Sequence, residues 1–355
     1  MGIGSMKIQV AQWHFFPAFP YLWKISNLGI ISISVLNFIL FLVSFLYLSR
    51  VFASTSKNVL IYLSLPVLFF MYVPYSEALF FIPSVLLIAG LYKRQALLIM
   101  ISLFLCSLCR SAANVFIPAI IIVEIIADNN PLRIRNIILY ITSSLTGIFL
   151  VAFTQFIQTG QWLGFITTQK HWEVGLRFPK LPFHSWGEMQ YLDGAAMLAG
   201  IAVIVKLLNI FYYFLKERKM VSNKAYLFSM LYAGGLTIFT IAFKGGNLFS
   251  LNRYLIPTAF FFVILCDFLN SIKLNSRQIF ILLFLIFVFW LSFGSYVHIK
   301  ALLGYLVFTL YLSLYLLINS KNAKISNLSY YALYLINIGL QVHLFFKFLD
   351  DKWVG

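Results

Sequence analysis

Acidic residues are the scarcest feature of this chain. Its 355 residues hold 10 Asp and Glu against 26 Lys and Arg, and charged residues of both signs make up only 10% of it. Residues 1–76 contain no Asp or Glu at all, so Glu77 is the first carboxylate side chain. Long polar stretches are equally lacking, which excludes an ordinary soluble globular domain. There are three cysteines, Cys106, Cys109 and Cys266, each inside an apolar run. The Cys106-x-x-Cys109 pair has no companion Cys or His pair, so a zinc site is not implied and the thiols read as small buried hydrophobes. No Gly-rich phosphate loop, nucleophile elbow or metal-binding His cluster is present, which argues against nucleotide-driven work and implies no cofactor.

What is present is grease. Hydrophobic residues make up 62% of the chain and aromatics 18%, and the mean hydropathy is +0.92. Apolar runs near the roughly 20 residues that a helix needs to cross a bilayer recur from Leu28 to Phe346, with one long break. The reading is a single integral membrane domain over 1–355, all-α and polytopic, with about 11 or 12 transmembrane helices. The expected spans are 28–49, 58–73, 77–92, 95–109, 112–127, 136–156, 191–215, 225–243, 254–272, 279–297, 301–318 and 329–348.

The net charge of +16 would suggest nucleic acid in a soluble protein. Here the basic residues sit in short connections, where they set topology and meet anionic lipid head groups, so no nucleic-acid partner is expected. Arg50 and Lys57, Lys93 and Arg94, Arg133 and Arg135, the Lys216–Lys224 group, Lys273 and Arg277, and Lys321 and Lys324 mark the cytoplasmic side by the positive-inside rule. The complementary set faces outward: an N-terminal segment at 1–27, the "VPYSE" turn, the region of Arg110, the long 157–190 loop, the "KGGNLFSLNR" turn, the "HIK" turn and the tail. All five histidines (His14, His171, His184, His298 and His343) fall on or near that outer side, as do Glu77, Glu173 and Glu188.

Glu77 follows Pro74 at the outer junction of two spans. An ionisable group there is costly unless it meets water or a partner, which points to function; capping of the next helix by Ser76 or Glu77 is the plainer alternative. Arg110 is a candidate partner for Glu77 or for a phosphate, or else a boundary residue that snorkels. The 157–190 loop interleaves Trp and Phe with Gln169, Lys170, His171, Glu173 and Arg177, and suits a re-entrant or interfacial segment. Arg110, Lys170, Arg177 and Arg253 together would form a cationic outer pocket for a lipid-linked phosphate, since guanidinium forks match phosphate oxygens.

Several short stretches, in order, resemble the phosphatidylinositol-glycan class V (PIG-V-like) mannosyltransferase family of the GT-C membrane glycosyltransferases. They are "FFPAFPYLWKI" (15–25), "PYSEALFF" (74–81), "CRSAANVFIPA" (109–119), "GQWLGFITTQKHW" (160–172) and "SLNRYLIPT" (250–258). The resemblance covers most of residues 13–258. It implies a GT-C-like fold that transfers a sugar, mannose above all, from a polyprenyl-phosphate donor to a lipid or glycan acceptor on the non-cytoplasmic side, with inversion. It implies Arg110, Gln169, His171, Trp172, Arg253 and Tyr254 as substrate and phosphate contacts. The family's N-terminal span and Trp-Asp loop, whose aspartate would be the base, have no counterpart here. The expectation is a late start, a partner chain that supplies the loop, or lost catalysis; within these residues Glu77 and His14 are the candidate bases. A transporter or flippase of lipid-linked saccharide and a catalytically degenerate partner subunit are the alternatives, and a bacterial inner membrane is the expected location.

Overall fold

The computed structural model describes residues 16–110, 113–127, 131–171, 175–294 and 298–350, with the side chains of 113 and 168–171 outside that description. Among the described residues the protein is helical and has no β-strand, only isolated bridges at His184 with Asn247 and Leu274 with Ser320. In chain order, α1 (Ala18–Ser26) and α2 (Ile30–Val51) lead to α3 (Ser56–Ser64), a 3-10 turn (Pro66–Met71) and α4 (Glu77–Lys93). Then come α5 (Ala96–Cys109), α6 (Ala113–Ile126), α7 (Arg133–Thr159), the short α8 (Gly164–His171), α9 (Met189–Glu217) and α10 (Lys224–Lys244). The chain closes with α11 (Leu251–Leu255), α12 (Ala259–Ser271), α13 (Ser276–Leu291), α14 (Ile299–Ile318) and α15 (Ala323–Leu349).

Helices α2, α7, α9, α10, α14 and α15 are long and apolar enough to cross a membrane. The protein is therefore a multi-pass membrane protein whose outer helix faces meet lipid. Helices α5, α6, α12 and α13 are shorter and also apolar. Helix α4 is the hub. Phe80, Phe81, Val85, Leu87, Ile88 and Leu91 are all buried on it, and a helix that is apolar all round belongs inside a bundle rather than at its edge. It packs against α2, α5, α10 and α12. Small residues let neighbouring backbones close in: a Cβ on Gly147 of α7 would stand 2.7 Å from Phe104 O of α5, and one on Gly200 of α9 would stand 1.9 Å from Thr237 Oγ1 of α10.

Two expected spans prove to be broken by proline. The run 58–73 is divided at Leu65, which takes an extended conformation (φ −54°, ψ 133°) before Pro66, because the proline ring clashes with a helical predecessor and the ring nitrogen has no proton. Carbonyls at the break take further donors from α15, whose Gln341 Nε2 donates at 3.0 Å to Leu65 O beside the backbone bond from Leu68 N. Asn337, one turn earlier on α15, donates to Ser64 Oγ at 3.2 Å and accepts from Tyr311 OH at 2.7 Å. The run 254–272 likewise starts late. Pro257 separates α11 from α12, and Thr258 caps α12 by accepting from Phe261 N at 3.2 Å.

The 157–190 stretch carries one short helix on the protein surface. Gly160 ends α7 in the left-handed region (φ 72°), and α8 lies on the surface with Trp162, Leu163 and Ile166 exposed around it. Beyond it, 175–186 runs extended and is stitched to the end of α10 and the turn after it. Gly175 N donates to Phe243 O at 2.9 Å, Arg177 N to Ala242 O at 2.9 Å and His184 N to Gly246 O at 3.2 Å, while Leu248 N donates back to His184 O at 2.9 Å.

Candidate functional site: a buried carboxylate between two arginines

The junction before α4 is held from α2. Asn37, fully buried, donates its Nδ2 to Val73 O at 2.7 Å and to Tyr75 O at 3.0 Å, which fixes the turn around Pro74. Ser76 occupies the N-cap position of α4 but makes no side-chain capping bond, so capping by Ser76 is not what this turn is built around. Glu77 points into the bundle and is 0% exposed.

Its Oε1 accepts from Arg110 Nη2 at 2.5 Å and from Arg253 Nε. Arg110 closes α5 in an extended conformation and is 8% exposed, so it turns inward rather than snorkelling. Each guanidinium lies against two rings. Arg110 lies over Phe80 and Tyr254, 5.4 and 4.8 Å from their centroids; Arg253 lies over Phe70 and Tyr75, at 5.1 and 4.3 Å. Such contacts hold a planar cation in place without consuming its N–H donors. Lys244 adds a third cation, 5.7 Å from the Tyr254 ring, and donates to Phe249 O at 2.7 Å.

The hydrogen-bond accounting of this cluster is incomplete in an informative way. Glu77 Oε2 and Arg110 Nη1 are closed from solvent and have no partner among the described residues. The terminal nitrogens of Arg253 make no hydrogen bond among the described residues either, and its side chain is 17% exposed. Two guanidinium charges set against one carboxylate leave a positive excess next to unused donors. That arrangement suits an anion.

The structure thus brings together Glu77, Arg110, Arg253 and Tyr254 of the residues expected from sequence. Arg177 packs its Cβ 3.3 Å from the Cβ position of Gly245, on the extended stretch, and the ion pairs to Glu77 come from Arg110 and Arg253. His14, Trp172 and Glu173 lie outside the described residues; Gln169, Lys170 and His171 are described in backbone only, on α8.

Asp193 escaped the sequence reading. It is 1% exposed on the first turns of α9 and accepts from Asn252 N at 2.8 Å and from Ser185 Oγ. The signal was available, since Asp193 is an ionisable residue inside an expected span. Glu188 and Lys347 form a further ion pair between the start of α9 and the end of α15. The hydrogen bond from Lys347 holds the Glu188 carboxyl below the usual carboxylate range. At the other end of the bundle Lys224 Nζ meets Glu124 Oε1 at 2.7 Å, both buried.

No protein-family model, curated protein or solved structure matches the chain.

Proposed function

We propose that the chain is a membrane glycosyltransferase of the GT-C kind, which moves a sugar, mannose in the first instance, from a polyprenyl-phosphate donor to a lipid or glycan acceptor. The working face is the non-cytoplasmic side of a bacterial inner membrane, as the distribution of basic connections suggests. The observation that carries this reading is the pair of ring-flanked arginines on one buried carboxylate oxygen, with terminal nitrogens of Arg253 that have no partner among the described residues. It is supported by the sequence resemblance, in which Glu77, Arg110, Arg253 and Tyr254 all fall within matching motifs.

In such a transfer the acceptor oxygen attacks the anomeric carbon, and the bond from that carbon to the phosphate oxygen breaks. The electron pair leaves with the lipid phosphate, and the acceptor proton goes to a base. The terminal nitrogens of Arg253 would bind the phosphate and offset the charge it gains as the bond breaks. Arg110 is more deeply placed and adds field at short range. Glu77, enclosed and held by both guanidiniums, fits an orienting role better than proton removal, which needs hydrogen-bond reach to the acceptor. Proton removal is then left to a group outside the described residues, for which His14 is the candidate within this sequence.

The test is transfer of labelled mannose from a polyprenyl-phosphate donor by the purified chain and by its Arg253→Ala variant. Transfer by the wild type with loss in the variant supports the reading. Movement of the intact lipid-linked sugar across proteoliposomes without transfer would replace it with the flippase reading, and neither activity would leave the degenerate-subunit reading.

A further inference from the structure

Arg253 sits on α11, a helix of five residues, and a helix so short cannot hold its own geometry. The turn that feeds it is left-handed at Gly245 (φ 60°), Gly246 (φ 101°) and Ser250 (φ 61°). Ser250 carries a side chain in a region that L residues seldom adopt, and such a conformation persists only where its surroundings impose it. What imposes it comes from elsewhere in the chain.

Three attachments converge on this turn. The extended stretch 175–186 is bonded along it, with Lys180 N donating to Gly245 O at 3.2 Å and His184 N to Gly246 O at 3.2 Å. Gly246 must be glycine for that docking, because a Cβ there would stand 2.4 Å from Lys180 O. Asp193 then joins both partners, with one carboxylate oxygen accepting the Ser185 hydroxyl of the stretch and the other accepting Asn252 N of α11 at 2.8 Å. Asn252 immediately precedes Arg253. The base of this clamp is itself fixed, since a Cβ on the neighbouring Gly194 would come within 2.4 Å of Trp290 Cζ3, which leaves α9 no room to slide.

We propose that Asp193 is the positioning residue of Arg253: it couples docking of the outer stretch, through Ser185, to the placement of the guanidinium on Glu77 and against Phe70 and Tyr75. Among the described residues the Asp193 carboxylate bonds Ser185 and Asn252 and neither Arg253 nor Glu77, so its action runs through the backbone of α11. The inference rests on Arg253 as the anion-contacting residue, and its test needs no sugar donor, so the two can fail separately.

The experiment is labelling of the full-length purified chain with an arginine-selective dicarbonyl, read at Arg253 by peptide mass spectrometry, with the exposed Arg277 as internal reference. Ser185→Ala, Asp193→Ala and the double variant are compared. Ser185→Ala should raise Arg253 labelling roughly fivefold, the equilibrium effect of one net hydrogen bond. Asp193→Ala, which removes two, should raise it at least as far, and the double variant should go little further than Asp193→Ala because both act on one tether. Asp193→Asn keeps an oxygen for Asn252 N and an amide for the Ser185 hydroxyl, and should return labelling towards wild type. Wild-type labelling in Ser185→Ala, or additive effects in the double variant, would overturn the proposal. Ser185 is only half-buried and its loss is compatible with folding, so the result is readable even if Asp193→Ala does not fold.

Discussion

Arg253 donates its Nε to Glu77 Oε1 across 176 positions of sequence, and this bond fixes which way the rest of the guanidinium faces. With Nε spent on the carboxylate, and the rings of Phe70 and Tyr75 set against the guanidinium, the terminal nitrogens, which make no hydrogen bond among the described residues, are left to meet a ligand. The buried acid is thereby what makes one arginine of the pair available in a defined orientation.

Replacing Glu77 with Gln removes the carboxylate charge that Arg110 and Arg253 share. Breaking a buried pair from one side costs about 3–5 kcal/mol. The expected outcome is a markedly lower thermal midpoint in detergent; a midpoint equal to wild type would contradict the buried arrangement.

Arg253→Lys retains a charge but loses the fork and the stacked plane, so it should impair anion binding far more than stability. Arg110→Lys, at an enclosed position, should do the reverse. In a double-mutant cycle with Glu77→Gln, each arginine substitution to Gln should show coupling of about 0.5–3 kcal/mol, because the three side chains share one oxygen. Strict additivity of unfolding free energies would argue against that sharing.

Gln341→Leu on α15 would remove one of two donors to Leu65 O, which also accepts from Leu68 N at 3.0 Å. A loss of about 0.5–1.5 kcal/mol is expected for one net hydrogen bond, since the carbonyl keeps its backbone donor. Hydrogen exchange should rise at 64–72 before it rises in α4; no change there would show that the break is satisfied otherwise.

Glu188 is held ionised by Lys347, so its folded pKa lies below its unfolded value. Its contribution is present above the unfolded pKa and is lost as pH falls through the folded one. Wild type should therefore lose part of its margin over Glu188→Gln on acidification below the ordinary glutamate range. Parallel pH profiles for the two proteins would rule this latch out.

Much of the framework was legible without coordinates. Low charge and recurrent apolar runs were enough for an all-α multi-pass protein, and the cost of an ionisable residue at a span junction singled out Glu77, with Arg110 as one candidate partner beside the plainer reading of a snorkelling boundary residue. The prolines were legible in principle but were read through: Pro66 and Pro257 divide runs that hydropathy alone joins, because an apolar average does not register a missing N–H. Asp193 was hidden for a similar reason, since one acid barely alters the mean of a long apolar helix.

The sequence by itself determined that this chain lies in the membrane and that Glu77 needs a partner, since both follow from the local cost of placing polar or apolar groups there. Only the tertiary structure decided that Arg253 shares the same carboxylate oxygen with Arg110, that Tyr75 and Phe70 hold it, and that Asp193 ties its short helix to the outer stretch. These contacts join α4, α5, α9 and α11, and which long-range partners meet is set by how the helices pack, a property of the whole bundle that no single stretch carries.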